Sequence, residues 1–144
     1  MARIHLKRDD NIRKELIDFC LNNCEQYVAI GWSWLSEDIK LDDFQEYYNR
    51  IKKKNGKANS AINVFRDAKI DDLFWTRDLS GNYWICKVKS PAMVVCDTHL
   101  DIGSVIPVDA FNVGMQVPGQ IKSSFNRPLG GTIERIRDKS IIEY

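Results

Sequence analysis

The feature that most constrains the fold is a pair of β-prone runs around one short turn in the second half of the chain. The runs span residues 72–77 and 83–88, and the segment Asp78-Leu79-Ser80-Gly81-Asn82 joins them. Aromatic and β-branched runs on either side of a glycine-containing turn are typical of a β-hairpin. We therefore expect two antiparallel neighbouring strands here.

The chain before this hairpin has mainly helical periodicity, and the chain after it is mainly β-prone. Apolar residues three and four positions apart predict helices over 12–23, 41–54 and 58–68, and Pro118 begins a short predicted helix over 118–125. Further predicted strands are 3–7, 27–32, 93–96 and 104–108, with 27–32 as a central strand. Residues 132–136 fit a strand or a helical turn. This order favours an α+β fold with a curved or barrel-like sheet over a doubly wound parallel sheet.

The length of 144 residues fits one domain, residues 1–144. Hydrophobic residues make up 44% and charged residues 28%, the balance of an ordinary globular protein. No apolar run approaches the roughly 20 residues of a membrane-spanning helix, and the first residues lack the apolar stretch of a signal peptide. The composition therefore predicts a cytoplasmic protein with no membrane partner.

The net charge of +1 does not by itself indicate a nucleic-acid-binding protein, but the charges are clustered. Residues 50–57 form a basic run that includes Lys52, Lys53, Lys54 and Lys57. Such a run can follow a phosphate backbone, or it can simply solvate the C-terminal end of a helix, where basic residues are common. The sequence leaves both interpretations open.

No sequence pattern of a known catalytic site is present. The chain lacks the glycine-rich nucleotide-binding patterns, the H-E-x-x-H zinc motif and the G-x-S-x-G nucleophile motif, and it has only two histidines. Its four cysteines have no partners at zinc-site spacing, so we interpret them as small buried hydrophobic residues. We expect a non-catalytic protein with no metal and no cofactor.

The tryptophans give the sharper indication of a binding site. Trp32 and Trp34 flank Ser33 at the end of a predicted strand, and they would project to the same face if the extended run continued. Two aromatic rings can hold a planar base by stacking, which contributes about 1–3 kcal/mol per base. Trp75 and Trp84 lie in the predicted hairpin and can be cross-strand neighbours. Core packing is the favoured interpretation for Trp84 and the alternative for the other three rings. Of the first pair, Trp34 is the better candidate for the ligand, because Trp32 stands at the end of the strand and can point inward.

Three segments together resemble the EVE/YTH-type branch of the PUA-like superfold. Residues 27–39, which contain Gly31-Trp32-Ser33-Trp34, resemble the strand and loop that open YTH domains. Residues 70–88 are similar to a hairpin of bacterial EVE-like modules, although Asp71-Asp72 replaces the Gly-Asp of that pattern. Residues 117–125 and 131–136 resemble the C-terminal tail of the same modules. The resemblance covers residues 3–138 and implies a curved mixed sheet or open barrel flanked by helices.

The resemblance implies a nucleic-acid-binding domain that recognises a modified or flipped-out base in an aromatic pocket, as a specificity module of a bacterial restriction or defence system. The implied partner is DNA in preference to RNA, with a fused or associated nuclease or NTPase. Ser33 would bind the edge of the base, and Asp78 would accept from an amine or cap the hairpin turn. The complete base-binding set is Trp32, Ser33, Trp34, Trp75 and Asp78. The phosphate-binding set is Lys52, Lys53, Lys54, Lys57, Arg77 and Lys87.

Two other functions remain open at this level. The domain can be a PUA-like module for a small ligand or a protein partner, or a small hydrolase of the ASCH-like kind, for which Glu37 and Lys40 follow the aromatic segment. Surface charge separates nucleic-acid binding from the binding of a small ligand or a protein partner. A positive rim around the Trp32 and Trp34 mouth would favour nucleic acid, whereas an acidic or apolar rim would favour a small molecule or a protein.

Overall fold

The computed structural model describes residues 2–6, 10–54, 59–126 and 133–135. Most predicted elements are present, with boundaries shifted by one or a few residues. The helices are α1 (Asp10–Leu21), α2 (Phe44–Lys54), α3 (Asn59–Asp67) and α4 (Gly119–Asn126), and residues Ser33–Leu35 form a 3-10 turn. The strands are β1 (Ala2–Ile4), β2 (Gln26–Ile30), β3 (Leu73–Arg77), β4 (Tyr83–Val88), β5 (Met93–Asp97), β6 (Ile102–Gly114) and β7 (Ile133–Arg135).

The strands form one curled mixed sheet, so the fold is α+β with a half-open barrel. The strand order is β2-β6-β4-β3-β1-β7, and β5 pairs with β6 beside this path. β1 and β3 are parallel, and the other described pairs are antiparallel. The hairpin prediction is confirmed, since β3 and β4 pair antiparallel from Leu73 opposite Lys87 to Arg77 opposite Tyr83.

The prediction that residues 27–32 form a central strand is wrong. β2 stands at one end of the strand order and pairs, within the described residues, with β6 alone. The sequence of β2 resembles that of a central strand because both faces of β2 are covered in the fold. Phe19 of α1 stacks on Tyr27 with the ring centroids 5.5 Å apart, and Val28 to Ile30 are buried. A strand covered on both faces is apolar throughout, whether or not it has two neighbours.

β6 is the strand that joins the two parts of the sheet, and it is longer than the predicted strand 104–108. Its first half pairs with β2 on one side and β5 on the other, and its second half pairs with β4. Pro107 has no N–H to donate. It is tolerated because, along β6, it lies between the residue that pairs with the end of β4 and the residue that pairs with the start of β5, so no ladder hydrogen bond is lost. The sequence pattern misses the second half because Asp109 and Asn112 are poor strand formers.

The two faces of the sheet contribute to two apolar clusters. Phe74 points into the main core, and its neighbour Trp75 points to the opposite face. There Trp75 and Tyr83 pack against Ile121 and Phe125 of α4. α4 therefore covers the face of the hairpin opposite the main core, and on the core side Phe65 of α3 packs against Phe74. In the described part of the chain, no helix is both long enough and apolar enough to span a membrane.

The cysteines divide into two pairs. Cys20 and Cys86 are buried, which agrees with the interpretation of small hydrophobic residues. Cys24 and Cys96 are exposed, so that interpretation is wrong for them. Cys24 follows the end of α1, and Cys96 lies near the end of β5, where the side chains reach the surface.

Candidate functional site

A cleft of about 190 Å³ lies where the two ends of the curled sheet approach each other. On one side is His5, directly after β1, and on the other is the end of β2 with Gly31 and Trp32. The full lining is His5, Leu16, Ala29, Ile30, Gly31, Trp32, Asp101 and Ile102. The volume is several times the ~30 Å³ share of one water and below the ~300–1,000 Å³ of sites for drug-sized ligands. The cleft therefore suits one ring or a similar small group.

Trp32 reaches this cleft because the chain leaves the extended conformation at that residue. Its backbone is left-handed, with φ 60° and ψ 46°. Ser33 to Leu35 then form the 3-10 turn, so the expected extended continuation is wrong and Trp32 and Trp34 do not share a face. Trp32 is half-buried against the core and lines the cleft, whereas the side chain of Trp34, the ring preferred from the sequence, is 59% exposed and does not line it.

Asp101 faces Trp32 across the mouth of the cleft and is also left-handed, with φ 53°. Its Oδ1 accepts hydrogen bonds from the Ser33 main-chain N–H (3.1 Å) and the Ser33 hydroxyl (2.8 Å). Within the described part of the chain, no hydrogen bond reaches its Oδ2. A bulky residue and a carboxylate both held left-handed at one mouth cost about 1–3 kcal/mol each, and such strain concentrates at binding sites.

Close contacts among Tyr47, Gly31 and Gly103 stabilise the backbone beside Trp32 and Asp101. The Tyr47 hydroxyl donates to the Gly31 carbonyl at 2.7 Å, and burial raises the pKa of the phenol, with Asp101 adding to the rise, so it stays a donor. A Cβ on Gly103 would lie 2.5 Å from the Gly31 carbonyl oxygen. A Cβ on Gly31 would lie 3.0 Å from Asp101 Oδ2. The close approach at Gly103 therefore requires glycine, whereas a Cβ at Gly31 would require a small shift of Asp101.

Ser33 and Asp78, two of the predicted base-binding residues, already have structural partners. Buried Ser33 orients Asp101 rather than facing the cleft directly. Asp78 caps the hairpin turn, because its Oδ1 accepts from the N–H groups of Ser80 and Asn82 and its Oδ2 accepts from the Trp84 indole, all at 2.9 Å. This is the capping alternative that the sequence left open.

Trp75 and Arg77 lie on the face of the sheet that α4 covers. Trp75 is 1% exposed in the second apolar cluster, so its ring is not available for stacking on a ligand in the cleft. The Arg77 guanidinium lies over the rings of Tyr83 (5.8 Å) and Phe125 (5.3 Å). The structure therefore brings Trp32 and Ser33 to the cleft region and places Trp75, Arg77 and Asp78 elsewhere.

The predicted phosphate-binding lysines do not line the cleft. Lys87 stands opposite Asp109, seven residues along β6 from Ile102, which corresponds to roughly 24 Å of strand. Lys52, Lys53 and Lys54 are exposed in the last turn of α2. Lys57 lies outside the described residues. The described lining contains the carboxylate of Asp101 and the imidazole of His5, and it contains no lysine or arginine.

No sequence pattern indicated the residues that complete the cleft. His5 lies within the predicted strand 3–7, Asp101 lies between the predicted strands 93–96 and 104–108, and Tyr47 lies in the predicted helix 41–54 without an assigned role. The described residues contain no group of three side chains suited to hold a metal ion. No protein-family model matches the chain, and neither the curated proteins nor the solved structures provide a match.

Proposed function

We propose that this chain is a non-catalytic binding domain that takes one unpaired base of a nucleic acid into the cleft between Trp32 and Asp101. The observation that carries the proposal is the pairing of an aromatic wall with an unused carboxylate oxygen at the same mouth. A base needs both features, because its faces stack and its edge carries N–H donors.

The apolar walls support a planar guest. Leu16, Ala29, Ile30 and Ile102 surround the cleft, so a ring that enters is shielded from water on several sides. In that setting an unpaired donor on the ring would be costly, and Asp101 Oδ2 is placed to accept from it. The cleft holds one ring system, which favours a base taken out of a helical stack over one read within a duplex. DNA is the proposed polymer, read by a specificity module of a bacterial defence system as the sequence resemblance implies.

A second candidate function is the binding of a free small heterocycle. It is favoured by the charge of the described lining, which contains the carboxylate of Asp101 and none of the predicted phosphate-binding residues. An acidic rim repels a polyanion but not a neutral ring. The same cleft residues would serve both functions.

A binding titration distinguishes the base-reading function from the binding of a free small heterocycle. Single-stranded and duplex oligonucleotides with plain, methylated or hydroxymethylated bases are titrated at two salt concentrations, in parallel with free nucleosides. The base-reading function predicts oligonucleotide binding that weakens with salt, as expected when phosphates are contacted. Binding of nucleosides with no gain from the polymer would establish the second candidate instead.

Trp32→Ala and Trp34→Ala form the matched pair of variants. Loss of stacking in the cleft predicts a decrease in affinity of about tenfold or more for Trp32→Ala. Trp34 does not line the cleft, so Trp34→Ala changes affinity less. If Trp32→Ala folds and binds every ligand as the parent protein does, the cleft is not the binding site.

A further inference from the structure

The charge of the cleft narrows the class of ring that it binds. Asp101 is the one carboxylate among the residues that line the cleft, and the lining contains no lysine or arginine. Asp101 is half-buried, and within the described part of the chain its carboxylate forms no ion pair. The cleft therefore has a negative charge with which no described cationic side chain pairs.

The surroundings make this charge costly to leave unpaired. The walls beside it are apolar and consist of Leu16, Ala29, Ile30 and Ile102. Both described hydrogen bonds of the carboxylate come from Ser33 and end on Oδ1. A carboxylate beside apolar surface costs free energy when it has no counter-charge, and a bound cation reduces that cost. The cleft therefore favours a positively charged ligand over a neutral ligand of the same shape.

Trp32 adds a second attraction for a cation. Indole is the aromatic ring that attracts positive charge most strongly, and the attraction increases when water is excluded. The Trp32 side chain is half-buried and lines the cleft together with Asp101. Attraction between charges acts over several ångströms and does not depend on the alignment of one hydrogen bond. Because the cleft holds a single ring system, a charged ring within it lies close to both groups.

We infer that the base taken into the cleft carries a positive charge because a ring nitrogen of its pairing edge is methylated. Bases of this class include 1-methyladenine and 3-methylcytosine. Their charge is spread over the ring and the exocyclic amino group, so the ring keeps apolar faces for the walls and N–H donors for Asp101. A lysine ammonium group is compact and strongly hydrated, which makes it a poorer ligand for a cleft with apolar walls.

The same methylation agrees with the need for an unpaired base. A methyl group on the pairing edge prevents base pairing, and extrusion costs least for a base that is damaged or already unpaired. The flanking phosphates are the same for every base, so their repulsion from Asp101 does not change the choice among bases. The inference rests on the proposed function and names the class of base that this function reads.

Two pairs of bases with the same methyl group on different atoms test the role of charge. Single-stranded thymidine oligonucleotides carry one central test base: 1-methyladenine or N6-methyladenine, and 3-methylcytosine or 5-methylcytosine. Only the first base of each pair is positively charged near neutral pH. Every host thymine is neutral, so the host strand does not present the feature under test. Fluorescence anisotropy should show that the parent protein binds the charged base about tenfold or more tightly than its neutral counterpart in both pairs.

Asp101→Asn is the decisive variant, and Asp71→Asn is its matched control. Asparagine tolerates a left-handed backbone, and its side-chain oxygen can still accept from Ser33, so the fold is retained. Without the negative charge, the preference for the charged base should fall below about threefold, the part that Trp32 contributes. Asp71 is also left-handed, with φ 76°, and its Oδ1 lies 3.4 Å from Lys87 Nζ, away from the cleft. Asp71→Asn removes the same charge from the protein and should leave the preference unchanged.

The outcomes distinguish the inference from the proposed function. If oligonucleotides bind in a Trp32-dependent way but the charged bases are not preferred, the charged-base inference is overturned and the base-reading function stands. The same holds if Asp101→Asn retains the full preference. The melting temperature of Asp101→Asn shows whether any loss comes from unfolding.

Free 1-methyladenosine and N6-methyladenosine are titrated in parallel. A preference for the charged nucleoside with no gain from the polymer overturns the base-reading function and assigns the charge selectivity of the cleft to the second candidate function. If neither oligonucleotides nor nucleosides bind through the cleft, the proposed function and the inference both fail.

Discussion

At the scale of single residues, two left-handed side-chain-bearing positions shape the cleft. Trp32 and Asp101 have φ values of 60° and 53°, conformations that cost an L-residue about 1–2 kcal/mol. The contacts that offset this cost are local: Ser33 binds Asp101, and Trp32 packs on the main core. Asp38 and Asp71 are also left-handed, with φ values of 64° and 76°, so this conformation is not confined to the cleft.

Gly103 carries the tightest close approach beside the cleft. In Gly103→Ala the new methyl group would lie 2.5 Å from the Gly31 carbonyl oxygen and 2.6 Å from the Tyr47 hydroxyl. We expect the free energy of unfolding to decrease by about 1–3 kcal/mol, because buried backbone must move. Urea unfolding measures the change.

Gly119→Ala is the matched control for that substitution. A Cβ on Gly119 would have no neighbouring atom within 4 Å in the described part of the chain, and the residue begins α4. Alanine there should leave stability unchanged or raise it by up to about 1 kcal/mol. Equal effects of the two substitutions would contradict the packing described around Tyr47.

At the scale of elements, the β3–β4 hairpin depends on one carboxylate. Asp78 accepts two main-chain N–H groups of the turn and the Trp84 indole N–H. These hydrogen bonds connect the turn to β4, the strand that follows it. The hairpin in turn carries Trp75 and Tyr83, against which α4 packs. The turn therefore affects the second apolar cluster more directly than the cleft.

Asp78→Ala should destabilise the protein and leave ligand binding nearly intact. Removal of the acceptors leaves three donors unpaired, two of them half-exposed, so we expect a loss of about 1–3 kcal/mol in the free energy of unfolding. Ser80→Ala, an exposed substitution in the same turn, should change it by less than about 0.5 kcal/mol. A large loss of affinity in folded Asp78→Ala would instead assign Asp78 to the binding site.

At the scale of the whole molecule, three buried acids link stability to alkaline pH. Burial raises the pKa of the Cys86 thiol to about 12 from its ordinary 9.0. Burial, with neighbouring Cys86 adding to it, raises the pKa of Cys20, and burial also raises that of the Tyr47 phenol. Groups whose pKa is raised by folding stabilise the native state below their unfolded pKa and lose that contribution as the pH rises.

The free energy of unfolding should therefore fall as the pH rises above about 9. Each group that stays protonated only in the folded state contributes a slope of up to about 1.4 kcal/mol per pH unit. As the pH rises, the two thiols lower the free energy of unfolding first, and Tyr47 adds to the decrease above pH 10. Urea unfolding between pH 7 and 11 measures the slope, and Tyr47→Phe should reduce it only above pH 10. A constant stability over this range would show that these groups ionise in the folded state.

Local patterns predicted much of the fold, and tertiary contacts determined the rest. The β3–β4 hairpin and the helices follow from turn residues and apolar spacing, which are local. The edge position of β2 could not be predicted, because coverage by α1 makes an edge strand as apolar as a central one. The cleft was predicted in part, through Gly31 and Trp32 of the segment Gly31-Trp32-Ser33-Trp34. Its other half depends on Asp101, which is 68 residues away from Ser33 in sequence.

The unequal lengths of β2 and β6 have a consequence for how copies of the domain meet each other. Beyond Val108 the β2 side of β6 has no described partner strand, and an open strand edge is a template for adding another sheet. The N–H group of Ala110 on that edge is already occupied by the side chain of Gln26. The Gln26 amide therefore removes one donor from the open edge of the longest described strand, which makes the addition of another strand there less favourable.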